Sequence, residues 1–170
     1  MAGVTHHQLP LPELAEKTRV LIVIAPYYHE IADGLLTGAR RVLDEAGAEH
    51  ETVEVPGALE IPTAIRLAHR QAEFDGYVAL GCVIRGETTH YETVANDSSH
   101  GLMLLGLDGA CIGNGILTVE TEEQARVRAD PEGANKGGCA AAAAVHLIAL
   151  GLQFRRQPKG IGFRRAAESA

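Results

Sequence analysis

The stretch Val20-Leu21-Ile22-Val23-Ile24-Ala25 is a continuous apolar run, rich in β-branched residues, and Pro26 ends it. Such a run is typical of a strand buried on both faces, as in a parallel sheet, rather than of a strand with one solvated face. Apolar residues at helical spacing follow from residue 31 to residue 46, and Gly47 stands where a helix C-terminal glycine belongs. The segment therefore predicts a strand, a loop and a helix.

The same alternation recurs along the chain. Further strands are predicted at residues 51–55, 77–84 and 110–119. Helices are predicted at residues 58–72, about 89–107 and 137–152, with a short helix starting at the capping-box pattern of residues 121–124. Because alternating strands and helices imply right-handed crossovers, we expect an α/β fold, a three-layer α/β/α sandwich around a four-stranded parallel sheet.

The length of 170 residues predicts a single domain. We expect an extended N-terminal arm over residues 1–18, where Pro10 and Pro12 interrupt a polar segment, and a folded domain over residues 19–152. Residues 153–170 form a basic tail that contains Pro158 and two glycines, so a flexible, solvated segment is expected. Binding of an anionic partner by this tail is the alternative.

Charge and aromatic content argue against nucleic acid as a partner. The chain has 15 Lys and Arg residues against 22 Asp and Glu residues, a net charge of −7, which gives no general attraction to a phosphate backbone. It has no Trp, 4 Tyr and 3 Phe residues, too few for a platform that stacks several bases. We therefore expect small-molecule ligands.

The spacing of the cysteines and the lack of nucleotide- and metal-binding motifs exclude further classes of protein. Cys82, Cys111 and Cys139 lie far apart and never form a Cys-x-x-Cys pair, which argues against a disulfide framework or a zinc site. The sequence contains no complete P-loop, Gly-x-Gly-x-x-Gly or His-Glu-x-x-His motif, so no metal or cofactor is expected. No signal pattern precedes residue 13, and we expect a cytoplasmic protein without a membrane partner.

Ligands of parallel α/β folds bind at the carboxyl ends of the strands. The richest such segment here is residues 81–91, which run from a buried strand through a glycine turn into a helix start. Thr88 and Thr89 hydroxyls beside the helix N-terminus suit an anion, and His90 can exchange protons near neutral pH. The alternative is that the threonines cap the helix and His90 is a surface histidine.

Candidate ligand-binding residues also lie at or near other strand ends, and each of them could instead have a purely structural role. Tyr27 and Tyr28 could stack on a planar heterocycle or pack on a neighbour. Glu60 could bind hydroxyl groups or be an ordinary first-turn acid. Arg128 and Lys136 could bind a phosphate or be solvated surface charges.

Four motifs in order identify a family resemblance. They are Val-Pro-Gly-Ala-Leu-Glu-Ile-Pro at 55–62, Gly-Cys-Val-Ile-Arg-Gly-Glu-Thr-Thr-His-Tyr at 81–91, Gly-Ile-Leu-Thr at 115–118 followed by Glu-Gln-Ala at 123–125, and Asn-Lys-Gly at 135–137. Together they closely resemble 6,7-dimethyl-8-ribityllumazine synthase over roughly residues 19–152. The resemblance implies a flavodoxin-like subunit, a homopentamer or a larger shell built from pentamers, and active sites shared between neighbouring subunits.

The resemblance also implies the reaction. In this family 5-amino-6-(D-ribitylamino)uracil condenses with 3,4-dihydroxy-2-butanone 4-phosphate to the lumazine, releasing phosphate and water, without metal or organic cofactor. Matching positions assign the roles. The residues implied to bind ribitylaminouracil are Tyr27, Ala58, Leu59, Glu60, Cys82, Val83, Ile84, Asn114 and Lys136. The phosphate is implied to contact Glu87 through its backbone, Thr88 and Arg128, and His90 is implied to transfer protons.

Three positions depart from the family pattern. Tyr27 stands where Phe or Trp is common, Asn114 where an aromatic residue is common, and Glu87 where a small residue is common. A Glu87 carboxylate turned inward would repel the phosphate, so we expect it to point outward. Asn114 and Glu87 keep an alternative open, a non-catalytic flavin- or lumazine-binding or shell-forming paralogue. A pentameric riboflavin synthase is a third interpretation.

Overall fold

The computed structural model describes residues 9–14 and 16–156. The predicted alternation of strands and helices is confirmed. The elements are β1 (Arg19–Ile24), α1 (His29–Glu45), β2 (Glu49–Glu54), α2 (Glu60–Gln71), β3 (Gly76–Ile84), α3 (His90–Leu107), β4 (Ile112–Val119), α4 (Glu122–Ala129) and α5 (Lys136–Arg156).

The four strands form one parallel sheet in the order β2-β1-β3-β4. The two central strands are the two continuous apolar runs, and both are almost wholly buried. The edge strand β2 is polar and mostly exposed, whereas β4 alternates between buried and exposed residues. A strand at the centre of a parallel sheet is covered on both faces, which explains why the apolar runs predicted β1 and β3 so well.

Helices cover both faces of the sheet, so the three-layer α/β/α sandwich is confirmed. On one face, α1, α4 and α5 form a core around Ile22, Leu35 and Val145. On the other face, α2 and α3 form a second core around Val23 and Ile61. Burial of these two apolar layers provides the main driving force for folding.

Glycines allow α5 to approach α1 closely. A Cβ added to Gly137 would lie 2.0 Å from the Leu35 carbonyl oxygen, and one added to Gly38 would lie 2.0 Å from Oδ1 of Asn135. Asn135 adopts a left-handed φ of 43°, and its Oδ1 accepts a hydrogen bond from the Gly138 N–H at 3.0 Å. This turn fixes the position of Lys136, the first residue of α5.

Within the described residues, α5 is the single helix long and apolar enough to match a membrane span. The apolar character of α5 reflects its place in the core of the sandwich, where Ala141, Ala144, Val145 and Ile148 are buried. It ends at Arg156, one turn beyond the predicted residue 152, where Arg156 forms a 2.9 Å ion pair with Glu16. Gly151 is tolerated inside the helix.

The ends of other elements also differ from the prediction. Strand β2 begins two residues earlier, at Glu49, where pairing with Arg19 of β1 begins. Helix α2 begins at Glu60 rather than at residue 58, because the Glu60 N–H bonds to the Gly57 carbonyl at 3.2 Å and closes a turn first. The outer part of the predicted arm, residues 1–8, and residues 157–170 of the predicted tail lie outside the described residues.

Candidate active site

A cleft of about 450 Å³ opens at the carboxyl ends of β1, β2 and β3. We call it the strand-end cleft. The sequence-predicted site residues that line it are Tyr27, Ala58, Leu59, Glu60, Cys82, Val83, Ile84, Thr88 and His90. The fold therefore brings together, in one cavity, residues that are up to 63 positions apart in the chain, from Tyr27 to His90.

Parallel pairing continues just beyond the strands and fixes the floor of the cleft. The Ala25 N–H donates to the Leu80 carbonyl at 2.9 Å, and the Val55 N–H donates to the Ile24 carbonyl at 2.9 Å. The chain then turns at Gly57, and the Glu60 carboxylate lies close above this glycine, since an added Cβ would be 3.0 Å from Oε2. The turn exposes backbone groups and one carboxylate, which suits a polyhydroxylated ligand.

Two tyrosines form the aromatic side of the cleft. Tyr27 is 73% exposed, and its ring meets Tyr28 edge to face with centroids 5.1 Å apart. Tyr28 packs against the core, and burial raises the pKa of its hydroxyl. For Tyr28 the sequence left open stacking on a ligand or packing on a neighbour, and its ring packs on the core and on Tyr27. The sequence analysis missed Tyr91 and Val94 as site residues, and both also line the cleft. The available signal was helical spacing of four residues from His90 for Val94, and direct sequence adjacency to His90 for Tyr91.

His90 begins α3 at the mouth of the cleft, and its side chain is exposed. Its backbone N–H donates to Thr88 Oγ1 at 3.4 Å, and Thr89, the N-cap residue, makes no side-chain capping bond among the described residues. The first N–H groups of a helix have no intrahelical acceptor and carry the positive end of the helix dipole. The start of α3 thus offers donors to an anion next to a side chain that can transfer protons.

Cys82 lines the inner wall of the cleft and is half buried. Burial raises the pKa of the Cys82 thiol to about 11. The thiol is therefore protonated at neutral pH and contributes an apolar wall rather than a nucleophile.

The remaining cationic candidates line a second cleft of about 410 Å³, which we call the β4 cleft. Its predicted site residues are Asn114, Arg128 and Lys136. The Asn114 Oδ1 accepts a hydrogen bond from the Ile116 N–H at 3.0 Å, and Arg128 Nη1 donates to the Gln124 carbonyl at 3.0 Å. Within one subunit, these three residues therefore line a different cleft from the one that contains His90 and Thr88.

Glu87 has an exposed side chain, and it is absent from the described residues that line the two clefts. Its carboxylate is thus not part of either cavity wall. Within the described residues 9–14 and 16–156, no group of three or more His, Cys, Asp or Glu side chains could hold a metal ion.

Comparison with known proteins gives a consistent result. A family model described as 6,7-dimethyl-8-ribityllumazine synthase matches residues 17–151. The chain is 55% identical over 164 residues to the protein of that name from Jannaschia sp. strain CCS1, covering 96% of this chain and 92% of the relative. Its identity to the Sphingopyxis alaskensis protein of the same name is 59% over 135 residues, 79% of this chain and 96% of the relative.

Proposed function

Because the chain belongs to the 6,7-dimethyl-8-ribityllumazine synthase family, we propose that its active site is completed between two subunits by the strand-end cleft of one and the β4 cleft of the next. The protein is an enzyme of riboflavin biosynthesis, a transferase that acts at the penultimate step. It condenses 5-amino-6-(D-ribitylamino)uracil with 3,4-dihydroxy-2-butanone 4-phosphate to 6,7-dimethyl-8-ribityllumazine, releasing phosphate and water. The roles of individual residues are the proposal.

The pyrimidine and its ribityl chain occupy the apolar part of the strand-end cleft. Tyr27 offers an exposed ring face for stacking on the heterocycle. The turn that leads into α2 binds the ribityl hydroxyls through the backbone of Ala58 and Leu59 and the carboxylate of Glu60. The end of β3 supplies the remaining wall through Cys82, Val83 and Ile84. Asn114 and Lys136 of the partner subunit close the ring pocket.

The phosphate binds at the start of α3. The Glu87 backbone N–H, the Thr88 hydroxyl and the helix N-terminus provide donors, and the positive end of the helix dipole favours the anion. Arg128 of the partner subunit supplies the guanidinium, because a planar fork of donors matches two phosphate oxygens. These groups hold the phosphate until it leaves and stabilise its developing charge.

His90 transfers protons during condensation. The 5-amino group of the pyrimidine attacks the ketone carbonyl, and water is lost as the imine forms. Phosphate is then eliminated, which leaves a second carbonyl group. The ribitylamino nitrogen attacks this carbonyl, and the second ring closes with loss of a second water. Each stage moves a proton, and an imidazole can both accept and donate one. His90 lies next to Thr88, at the proposed phosphate position. Holding both substrates in contact supplies much of the acceleration in a bimolecular condensation.

The family implies an oligomer, and we propose a homopentamer that can assemble into a larger shell. One observation supports the proposal that the active site is shared between subunits. Within one subunit, Arg128 and Lys136 line a different cleft from Thr88 and His90. An apolar groove beside the exposed edge strand β4 supports an extended interface, with Met103, Leu107 and Phe154 each more than half exposed. Cys82, Cys111 and Cys139 are free thiols in the structure, which agrees with the proposed cytoplasmic location of the protein.

The activity is tested by absorbance-monitored formation of the lumazine from the two purified substrates, after subtraction of the uncatalysed condensation. Enzyme-dependent product is expected. A folded, oligomeric protein that binds lumazine but adds no rate above background would contradict the enzymatic function.

A further inference from the structure

Arg85 joins two carboxylates beside the strand-end cleft, and the catalytic roles proposed above do not use it. Its Nε donates to Glu120 Oε2 at 2.7 Å, its Nη1 pairs with Glu92 Oε1, and its guanidinium lies 4.1 Å from the centre of the Tyr91 ring. Its backbone N–H donates to the Val119 carbonyl at 2.9 Å. The guanidinium is therefore held in one orientation by partners on three sides.

These partners belong to three different segments. Arg85 follows β3 and precedes the turn of residues 86–89, at which the phosphate is proposed to bind. Glu92 lies in the first turn of α3, two residues after His90. Glu120 follows β4 and directly precedes Thr121, the N-cap of α4. One side chain thus connects the phosphate turn, the helix that begins with His90, and the end of β4.

The contacts are too exposed to act mainly on stability. The side chains of Arg85, Glu92 and Glu120 are 38%, 47% and 56% exposed, and ion pairs in water contribute little to folding. They do act on local electrostatics, since the hydrogen bond from Arg85 holds the pKa of the Glu92 carboxyl below its usual range. The two carboxylates lie beside a proposed anion site, and the Arg85 guanidinium pairs with both of them.

We propose that Arg85 is a positioning residue for phosphate binding, which fixes the turn of residues 86–89 and the first turn of α3 through Glu92 and Glu120. This inference rests on the proposed function. Without Arg85 the donors of the turn lose their fixed direction, and two negative charges remain uncompensated beside the phosphate. Binding of the pyrimidine depends on Tyr27 and the turn before α2, which Arg85 does not contact, and it is therefore expected to change little.

The other end of α3 provides a matched control. Arg66 of α2 pairs with Asp108, the C-cap residue of α3, and the two side chains are 36% and 58% exposed. Both arginines thus hold one end of the same helix through an exposed carboxylate. Asp108 lies at the opposite end of α3 from His90, so Arg66→Gln removes an equivalent ion pair without touching the phosphate turn.

The experiment compares Arg85→Gln, Arg85→Lys and Arg66→Gln in the oligomeric enzyme. For each protein, the KM of both substrates, kcat, the Kd of inorganic phosphate by ³¹P NMR titration, and the melting temperature are measured. Arg85→Gln is expected to raise the KM of the butanone phosphate and the Kd of phosphate roughly tenfold, with the pyrimidine KM within about twofold of wild type. Arg66→Gln is expected to leave all of these values unchanged.

Lysine at position 85 is expected to remain impaired, because an ammonium group keeps the charge but cannot direct two bonds in a fixed plane. Full rescue by Arg85→Lys would assign the effect to charge alone and overturn positioning. An unchanged phosphate Kd in Arg85→Gln would also overturn it. So would an equal rise in the KM of both substrates together with a lower melting temperature. If wild type forms no lumazine, the proposed function fails, whereas the phosphate titration still tests Arg85.

Discussion

The strand-end cleft and the β4 cleft differ in chemistry as well as in position. The first is lined mainly by apolar and aromatic side chains, with His90 and Glu60 at its rim, whereas the second carries Arg128, Lys136 and the Asn114 amide. Neither cleft of a single subunit contains a stacking ring, a proton-transfer group and a phosphate-binding cation together. The difference supports the proposal that the two clefts are halves of one site, and the variants below test what each half contributes.

The largest effect is expected for His90→Ala. Loss of a positioned proton-transfer group typically lowers kcat about 10²–10⁴-fold, while the exposed side chain leaves the fold and the oligomer intact. Steady-state kinetics and size-exclusion chromatography measure the two properties. His100→Ala, an exposed position on the same helix, is the control and should retain wild-type kcat. Dissociation of the His90 variant would instead assign this histidine a structural role.

Arg128→Ala should raise the KM of the butanone phosphate about 10–100-fold, because a charge-assisted hydrogen bond to phosphate is lost. The pyrimidine KM is expected to change less. Arg126→Ala on the same helix is the matched control, since Arg126 pairs with Glu122 at 2.7 Å on the protein surface. Equal effects of the two substitutions on the phosphate substrate would remove Arg128 from the site.

Gly137→Ala tests how much the close approach of α1 and α5, next to the β4 cleft, contributes to stability. Its Cβ would lie 2.0 Å from the Leu35 carbonyl oxygen, so the helices must separate, at a cost of about 1–3 kcal/mol in the free energy of unfolding. Urea denaturation measures this loss. At Gly151 of the same helix, an added Cβ meets no atom within 4 Å in the described part of the chain outside the adjacent helix backbone, and Gly151→Ala should not destabilise the fold. Similar losses for both variants would contradict the packing argument.

The smallest effect is expected for Cys82→Ala. Burial raises the pKa of this thiol to about 11, so it stays protonated and uncharged throughout the range from pH 7 to pH 9. The pH profile of kcat over that range should therefore keep its shape, with only a modest change in the pyrimidine KM. The disappearance of an ionisation from the profile would show that Cys82 titrates during turnover.

The fold was predictable where sequence pattern and burial coincide. The continuous apolar runs of β1 and β3 fill the centre of the sheet, and Thr121 caps α4 as its pattern predicts, with its hydroxyl accepting from the Gln124 N–H at 3.2 Å. The start of α2 was less predictable, because both a turn and a helix suit residues 58–60. Closure of the turn at Gly57 decides between them.

The sequence indicated the candidate residues, whereas the cleft in which each of them lies follows from the structure. Motif resemblance indicated His90, Thr88 and Arg128, yet nothing in their order along the chain shows that Arg128 lies in a different cleft. The contact of Arg85 with Glu120 joins residues 35 positions apart, and it depends on the parallel pairing of β3 with β4. Local sequence carries no signal for such pairs, because the tertiary fold creates them.

Mixing of two impaired variants, assayed at a butanone phosphate concentration well below the KM of Arg128→Ala, tests the shared site most directly. His90→Ala and Arg128→Ala oligomers are dissociated, combined in equal amounts and reassembled, and lumazine formation is measured against each parent. If the site is built from the strand-end cleft of one subunit and the β4 cleft of the next, about a quarter of the wild-type activity returns, as random assembly in a ring requires. A His90→Ala and Glu60→Ala mixture, whose residues line one cleft, should regain none. Reassembled His90→Ala and Arg128→Ala oligomers without activity would contradict the account.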